Sequence, residues 1–258
     1  MPLGPILNLA RALADVVSPR SCLGCGVLIE HAGRVCAPCD AALAELRRLS
    51  YCGRCGRSAR PETIDDDGCG VCRRERFWNM AGVARFGAYE SPLREMVLDL
   101  KYDGVLANAE WLGAALAQRI AERPWQPIDA IVPVPMHPLR RWQRPCDHAA
   151  ELAEVVSRRL GIPLRRLARR SRYSESQLRM DTRAKRFDNI AQCFEPRGRA
   201  RSKGLTVCIV ENMVVTGATL CEVAKALRRG GAKRIYAAFV ARSSPPGQPQ
   251  PIAGSKSR

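Results

Sequence analysis

Leu205-Thr206-Val207-Cys208-Ile209-Val210-Glu211-Asn212-Met213-Val214-Val215-Thr216-Gly217-Ala218-Thr219 is the stretch on which the fold turns. Leu205 to Val210 is an apolar, β-branched run, which reads as a strand buried on both faces. A polar pair, Glu211-Asn212, follows it. Thr216-Gly217-Ala218-Thr219 then leads into a helix over Thr219 to Arg229. That helix turns Leu220, Val223 and Leu227 inward and is closed by Gly230 and Gly231. Strand, turn and helix in that order make half of a parallel α/β unit. In such sheets ligands bind beyond the carboxyl ends of the strands. The start of a helix offers unpaired N–H groups and the positive end of the helix dipole, which suits a phosphate. Gly217 lets the backbone come close. Thr216 and Thr219 add hydroxyl donors, and an acidic residue before the turn can hold sugar hydroxyls.

Outward from this segment the pattern repeats. Ala81 to Tyr89, Asp129 to Val134 and Lys233 to Val240 read as strands. Pro92 to Lys101, Asn108 to Glu122 and Asp147 to Leu160 read as helices, the last with a stripe of Leu152, Val155, Val156 and Leu160 stopped by Gly161. Strands alternating with helices predict an α/β fold, a parallel sheet covered on both faces.

The first third of the chain is different. Eight of the twelve cysteines lie there as four C-x-x-C pairs: Cys22/Cys25, Cys36/Cys39, Cys52/Cys55 and Cys69/Cys72. The pairs are 10, 12 and 13 residues apart. A C-x-x-C turn sets two thiolates on one side of a knuckle, and two knuckles complete a tetrahedral shell for structural Zn²⁺. A disulfide framework is the competing reading, and reduced thiols without an export signal disfavour it. Sequential pairing, the first four cysteines on one zinc and the last four on another, is the simplest scheme; interleaving stays open. Four sulfurs close a shell, so His31 is not needed as a ligand. The segment has few large apolar residues and depends on metal to fold. Asp40 to Leu49 reads as a helix with Leu43 and Leu46 on one face. Of the four isolated cysteines, Cys208 lies in the apolar run and belongs to the core.

The formal charge is +17, with 42 Lys or Arg against 25 Asp or Glu. Between Arg140 and Arg186 there are fourteen basic residues against five acidic ones. Such a stretch is a solvated surface, or a face for nucleic acid or a phosphorylated ligand. No segment reaches about 18 apolar residues without a charge, so no membrane span is expected. Met1 to Pro19 carries Arg11 and Asp15 and does not read as a signal peptide, which makes a cytoplasmic protein the expectation.

The string from Leu205 to Thr219 resembles the phosphoribosyl diphosphate motif of type I phosphoribosyltransferases: an apolar strand, two acidic residues, then T-T-G-x-T. Together with an N-terminal double zinc ribbon, the chain resembles the ComF/GntX family of competence-associated, phosphoribosyltransferase-like proteins. Ser91-Pro92-Leu93-Arg94 with Leu100-Lys101-Tyr102, and Val132-Pro133-Val134-Pro135-Met136-His137-Pro138, are similar to further segments of that family. So are Gln177, Arg183, Arg186 and Asn189. The resemblance covers about residues 22 to 242. It implies an N-terminal lead-in over 1–20, a double zinc ribbon over 21–78, a phosphoribosyltransferase-like domain over 79–242 and a disordered tail over 243–258.

The resemblance also implies a site. The 5′-phosphate of phosphoribosyl diphosphate would sit on Val215, Thr216, Gly217, Ala218 and Thr219. The ribose hydroxyls would meet Glu211 and Asn212, the catalytic positions. Mg²⁺-pyrophosphate would contact the Pro133 to Arg144 loop, with His137, Arg140, Arg141 and Arg144, and the basic Arg172 to Arg186 segment, with Arg183 and Arg186, would close over it as a lid. The chain departs from the pattern in several places. The acidic pair is Glu211-Asn212, Val215 replaces a threonine, and Pro145-Cys146-Asp147-His148 stands where the family reads G-F-N-Q. Losing one preorganised electrostatic contact typically costs about 10²–10³ in rate, so these departures weaken the expected glycosyl transfer. The alternative implied by the same family is a single-stranded DNA-binding factor working with DNA-uptake machinery. For the other candidates, His137 contacts pyrophosphate or orders its loop. His148 caps its helix or faces solvent. Trp142 stacks on a base or packs.

Overall fold

The computed structural model describes residues 20–66, 68–75, 80–125, 127–174, 182–198 and 201–243. Almost all of the expected lead-in and tail, and residues 175–181 of the expected lid, lie outside them. The cysteine-rich part holds helix α1 (Ala37–Arg48), a minimal hairpin of β1 (Ile64–Asp65) with β2 (Gly68–Cys69), and α2 (Gly70–Glu75). Proline in the first turn of α1, Asp40 near its start and Arg47 and Arg48 in its last turn suit the backbone geometry and dipole of a helix. Leu43 and Leu46 are buried, as their spacing predicts.

The rest of the chain builds β3 (Gly82–Ala88), α3 (Leu93–Leu98), a π turn over Asp99–Asp103, α4 (Leu106–Ala121) and β4 (Ala130–Pro133). There follow α5 (Pro138–Trp142), α6 (His148–Leu160), β5 (Ala168–Arg170), α7 (Arg183–Ile190) and β6 (Phe194–Pro196). The chain then forms β7 (Thr206–Val214), α8 (Ala218–Arg229) and β8 (Arg234–Arg242). The four long strands make one parallel sheet in the order β3-β8-β7-β4. Alternate residues of β7 explain the two layers. Cys208 and Val210 join Leu112, Leu116, Leu152 and Val156 of α4 and α6. Val207 and Ile209 join Leu220, Val223 and Leu227 of α8. Both faces are thus covered, which is why the strand reads as a continuous apolar run.

One expectation changes, and one strand pair is added. The strand does not end at Val210, because β8 continues alongside it and pairs Glu211 with Phe239 and Val214 with Arg242. Polarity ends the apolar run but not the hydrogen-bond ladder, so Glu211 and Asn212 stand in the strand rather than after it. The antiparallel pair β5–β6 was not legible, since Ala168-Arg169-Arg170 and Phe194-Glu195-Pro196 are short and polar.

The cysteine-rich part does not hang free. β3 is an edge of the sheet, and an open edge is a liability. Here the edge is covered: Val83 donates its N–H to the Gly53 carbonyl at 2.7 Å, and Arg85 donates its own to Tyr51 Oη at 3.1 Å. Gly56, at φ +77°, lies so close to β8 that a Cβ there would stand 2.4 Å from Phe239 Cζ. Arg85 has no exposure. Its guanidinium donates to the Gly56 carbonyl at 3.0 Å, Ser58 Oγ at 2.8 Å and the Leu49 carbonyl at 3.3 Å. Burial pulls its pKa down to about 9, with Arg242 and Arg119 adding to the fall and Cys55 opposing it. Hydrogen bonds offset part of the cost of a buried cation, and the three made by the two terminal nitrogens pin the cysteine-rich part to the sheet.

Candidate functional site

The eight cysteines fall into two sets: Cys22, Cys25, Cys36 and Cys39, and Cys52, Cys55, Cys69 and Cys72. Within each set the sulfurs all lie within 4.8 Å of one another. Cys25 and Cys36 are 3.7 Å apart, as are Cys52 and Cys72, and Cys55 and Cys69. A tetrahedron with Zn–S of about 2.3 Å has edges of about 3.8 Å, whereas a disulfide needs about 2.05 Å. Cys36 donates its N–H to Cys22 Sγ at 3.2 Å, and Cys69 to Cys52 Sγ at 3.3 Å. Such bonds favour thiolates. The residues therefore fit two structural zinc ions, paired sequentially. His31 belongs to neither set, and its Nδ1 accepts the Gly33 N–H at 2.9 Å.

A cavity of about 370 Å³ opens at the carboxyl end of the sheet. Its lining includes Glu211 and Asn212 from β7, the turn Val215 to Gly217, and Ala218, Thr219 and Leu220 at the start of α8. Gly217 has φ +88° and forms the N-cap of α8, a left-handed conformation that favours glycine. Arg140, Arg144 and Arg186 line the same space, together with Lys101 and Arg170. Arg140 donates to the Ser174 carbonyl at 3.0 Å, and Arg144 to the Lys101 carbonyl at 3.4 Å while lying 4.3 Å from the Tyr102 ring centre. Five cationic side chains thus face two acids, Asp147 and Glu211, an excess that suits a polyanionic ligand.

Among the other expected residues, His137 and Arg141 do not line the cavity. His137 Nδ1 accepts the Leu139 N–H at 3.2 Å and caps α5, and its ring meets Tyr173 edge-on at 5.3 Å. It orders the loop. The Arg183 side chain lies outside the described residues, as does Gln177. Trp142 is 92% exposed, so it does not pack. The expectation for His148 is corrected. Asp147 is the cap, accepting the Ala150 N–H at 3.3 Å, and His148 turns inward to face Glu211.

Sequence reasoning missed Lys101, Asp147, His148 and Arg170 as lining residues. Lys101 stands in the π turn, and Arg170 is brought in by the short β5–β6 pair. The departure at Pro145-Cys146-Asp147-His148 was a signal for two of them. Burial pushes the Glu211 carboxyl up to about 7, against the Asn212 N–H and the charges of Lys101 and Arg170, with Asp147 reinforcing the rise. Burial and the cations Lys101, Arg144 and Arg140 press His148 down to about 3, so it is neutral.

Comparison with known proteins follows the same division. A double zinc ribbon domain matches residues 13–74, and a phosphoribosyl transferase domain matches residues 145–252. "Competence protein F" of Haemophilus influenzae is 29% identical over 80% of this chain and 90% of its own. "DNA utilization protein YhgH" of Salmonella typhimurium is 28% identical over 80% of this chain and 89% of its own. The amidophosphoribosyltransferase of Escherichia coli is 28% identical over 50% of this chain and 24% of its own length. Fold, cysteine sets and cavity define a phosphoribosyltransferase-type α/β protein carrying a double zinc ribbon. That combination and these relatives fit the ComF family. Among the described residues no helix is long and apolar enough to cross a membrane.

Proposed function

We propose that this protein binds phosphoribosyl diphosphate with Mg²⁺ in the cavity at the carboxyl end of the sheet. The observation that carries this reading is the union, in one space, of the Gly217 turn, the α8 N-terminus and five cationic side chains around Glu211 and Asn212. The turn from Val215 to Thr219 takes the 5′-phosphate. Arg140, Arg144, Arg170 and Lys101 oppose the pyrophosphate, and Arg186 reaches it from α7. Glu211 and Asn212 take ribose hydroxyls. Asn212 carries no charge, so stabilisation of a cationic ribose in glycosyl transfer falls to Glu211, and transfer is slow relative to binding. Zn²⁺ acts as a structural element of the ribbon, and the protein works in the cytoplasm.

Calorimetry with phosphoribosyl diphosphate, with and without Mg²⁺, tests this directly. Binding is expected in the micromolar to millimolar range, stronger with Mg²⁺. It also depends on pH. A hydroxyl donating to Glu211 needs the carboxylate ionised, and the folded pKa is about 7. Affinity therefore rises as pH passes upward through 7. A flat profile between pH 6 and 8 would argue against Glu211 as the contact.

A second reading, single-stranded nucleic acid bound in DNA uptake, is favoured by a separate feature. Between α1 and α4 a groove of about 820 Å³ is lined by Arg47, Arg48, Arg119 and Arg123, with Glu122 as its acid. Arg123 and Arg119 lie 4.9 and 5.6 Å from the Tyr51 ring centre. Binding there would release counterions, so affinity for an oligonucleotide is expected to fall steeply with salt. Salt-insensitive or undetectable binding would remove this reading.

A further inference from the structure

The cavity floor holds polar atoms whose hydrogen-bonding capacity is unmet. His148 Nδ1 and Asn212 Nδ2 are buried and have no hydrogen-bond partner. His148 Nδ1 stands 3.9 Å from Glu211 Oε1, and the two side chains are 14% and 11% exposed. That separation is too long for a direct hydrogen bond. It suits one oxygen lodged between the two atoms at ordinary bonding distance from each. Glu211 Oε1 already accepts one bond, from the Asn212 N–H at 2.8 Å, and Asn212 Oδ1 accepts the Met213 N–H at 2.7 Å. Asn212 Nδ2 is thus a spare donor one residue along the strand.

The occupant of the gap must satisfy a carboxylate, which only accepts, and a neutral imidazole nitrogen, which accepts or donates according to its tautomer. A hydroxyl both donates and accepts, so it meets either case. An ammonium or guanidinium would meet Lys101, Arg144 and Arg140, which face His148, and Lys101 and Arg170, which face Glu211. Building on the proposed phosphoribosyl reading, we propose that His148 is a specificity residue which, with Glu211, brackets one hydroxyl of the pentose. The cavity then selects the sugar that carries this hydroxyl over its deoxy analogue. His148 is not read as a proton donor, since it is held neutral.

The test is calorimetry with ribose 5-phosphate, 2-deoxyribose 5-phosphate and 3-deoxyribose 5-phosphate, on wild type, H148F and H148Q. Wild type is expected to prefer the ribose by about tenfold or more over at least one deoxy sugar, because a missing hydroxyl strands a buried polar group. H148F is expected to bind ribose 5-phosphate only as well as that deoxy sugar, whose own affinity stays within about threefold of wild type. H148Q, which keeps a polar atom, restores part of the preference. A purely structural role would weaken all three sugars alike, and that outcome overturns the proposal, as does a wild type that binds all three equally. Wild-type binding without discrimination leaves the phosphoribosyl reading intact and removes only the role of His148. No binding of either ribose 5-phosphate or phosphoribosyl diphosphate removes both. Should H148F not fold, the wild-type ratios and H148Q still decide.

Discussion

Stripping zinc from this protein is expected to melt the sheet, not only the ribbon. Metal analysis of protein purified without chelator should give about two zinc ions per chain, and a strong chelator should lower the melting temperature of the whole molecule. The reason is placement. Cys52, Cys55, Cys69 and Cys72 are buried in the same cluster as Val83, Val207, Leu220 and Phe239. The knuckle that begins at Cys52 also supplies the carbonyls of Gly53 and Gly56 to Val83 and Arg85. Structural zinc contributes about 10–16 kcal/mol in small finger peptides, as much as the whole stability of an ordinary domain, about 5–15 kcal/mol. With the second zinc gone, the fully buried Arg85 loses the carbonyls that hold it and the negative tetrathiolate that faces it. The two sites should differ. Cys25 is exposed and Cys55 buried, so Cys55→Ser is expected to cost far more in melting temperature than Cys25→Ser. A chelated protein with an unchanged transition would overturn this account.

Replacing Gly217 by tryptophan is expected to abolish the thermal shift that phosphoribosyl diphosphate produces. In wild type, ligand at a hundred times its Kd stabilises by about 2.7 kcal/mol. Gly217 sits at φ +88° as the N-cap of α8. A side chain there is strained by about 1–2 kcal/mol and stands in the turn that lines the cavity. The strain falls on one turn at the rim of the sheet, so the apo variant should lose a few degrees while ligand stabilisation falls to nothing. The more conservative Gly217→Ala should keep the fold and lose most of the affinity. An undiminished shift in either variant would mean that the phosphate binds elsewhere.

Much of this was legible in the residues alone. The run Leu205 to Val210 read as a doubly buried strand because five of its six side chains are apolar, and the C-x-x-C spacing identified the eight cysteines because a tetrahedral shell needs two knuckles, while the structure decided that they pair sequentially. Glycine and threonine in Thr216-Gly217-Ala218-Thr219 marked the turn into α8. Arg85 was not legible: an arginine in Ala81 to Tyr89 reads as a solvent-facing residue. Its actual place depends on a carbonyl contributed by Gly56, twenty-nine residues earlier.

The cavity divides along the same line. Glu211, Asn212 and the turn are contiguous, so local chemistry revealed them. Lys101, Arg170 and His148 come from three other elements, and His148 and Arg170 owe their surroundings to burial, which no local pattern states. The sequence by itself determined the eight cysteines of the ribbon, the apolar strand and the turn into α8, since each follows from spacing and residue type within a few positions. Only the tertiary structure decided that the ribbon closes the sheet's open edge, that His148 faces Glu211 across 3.9 Å, and that the second zinc set shares the core of the sheet. Those are properties of segments far apart in the chain, brought together because an uncovered edge and an uncompensated buried charge both cost more than the contacts that remove them.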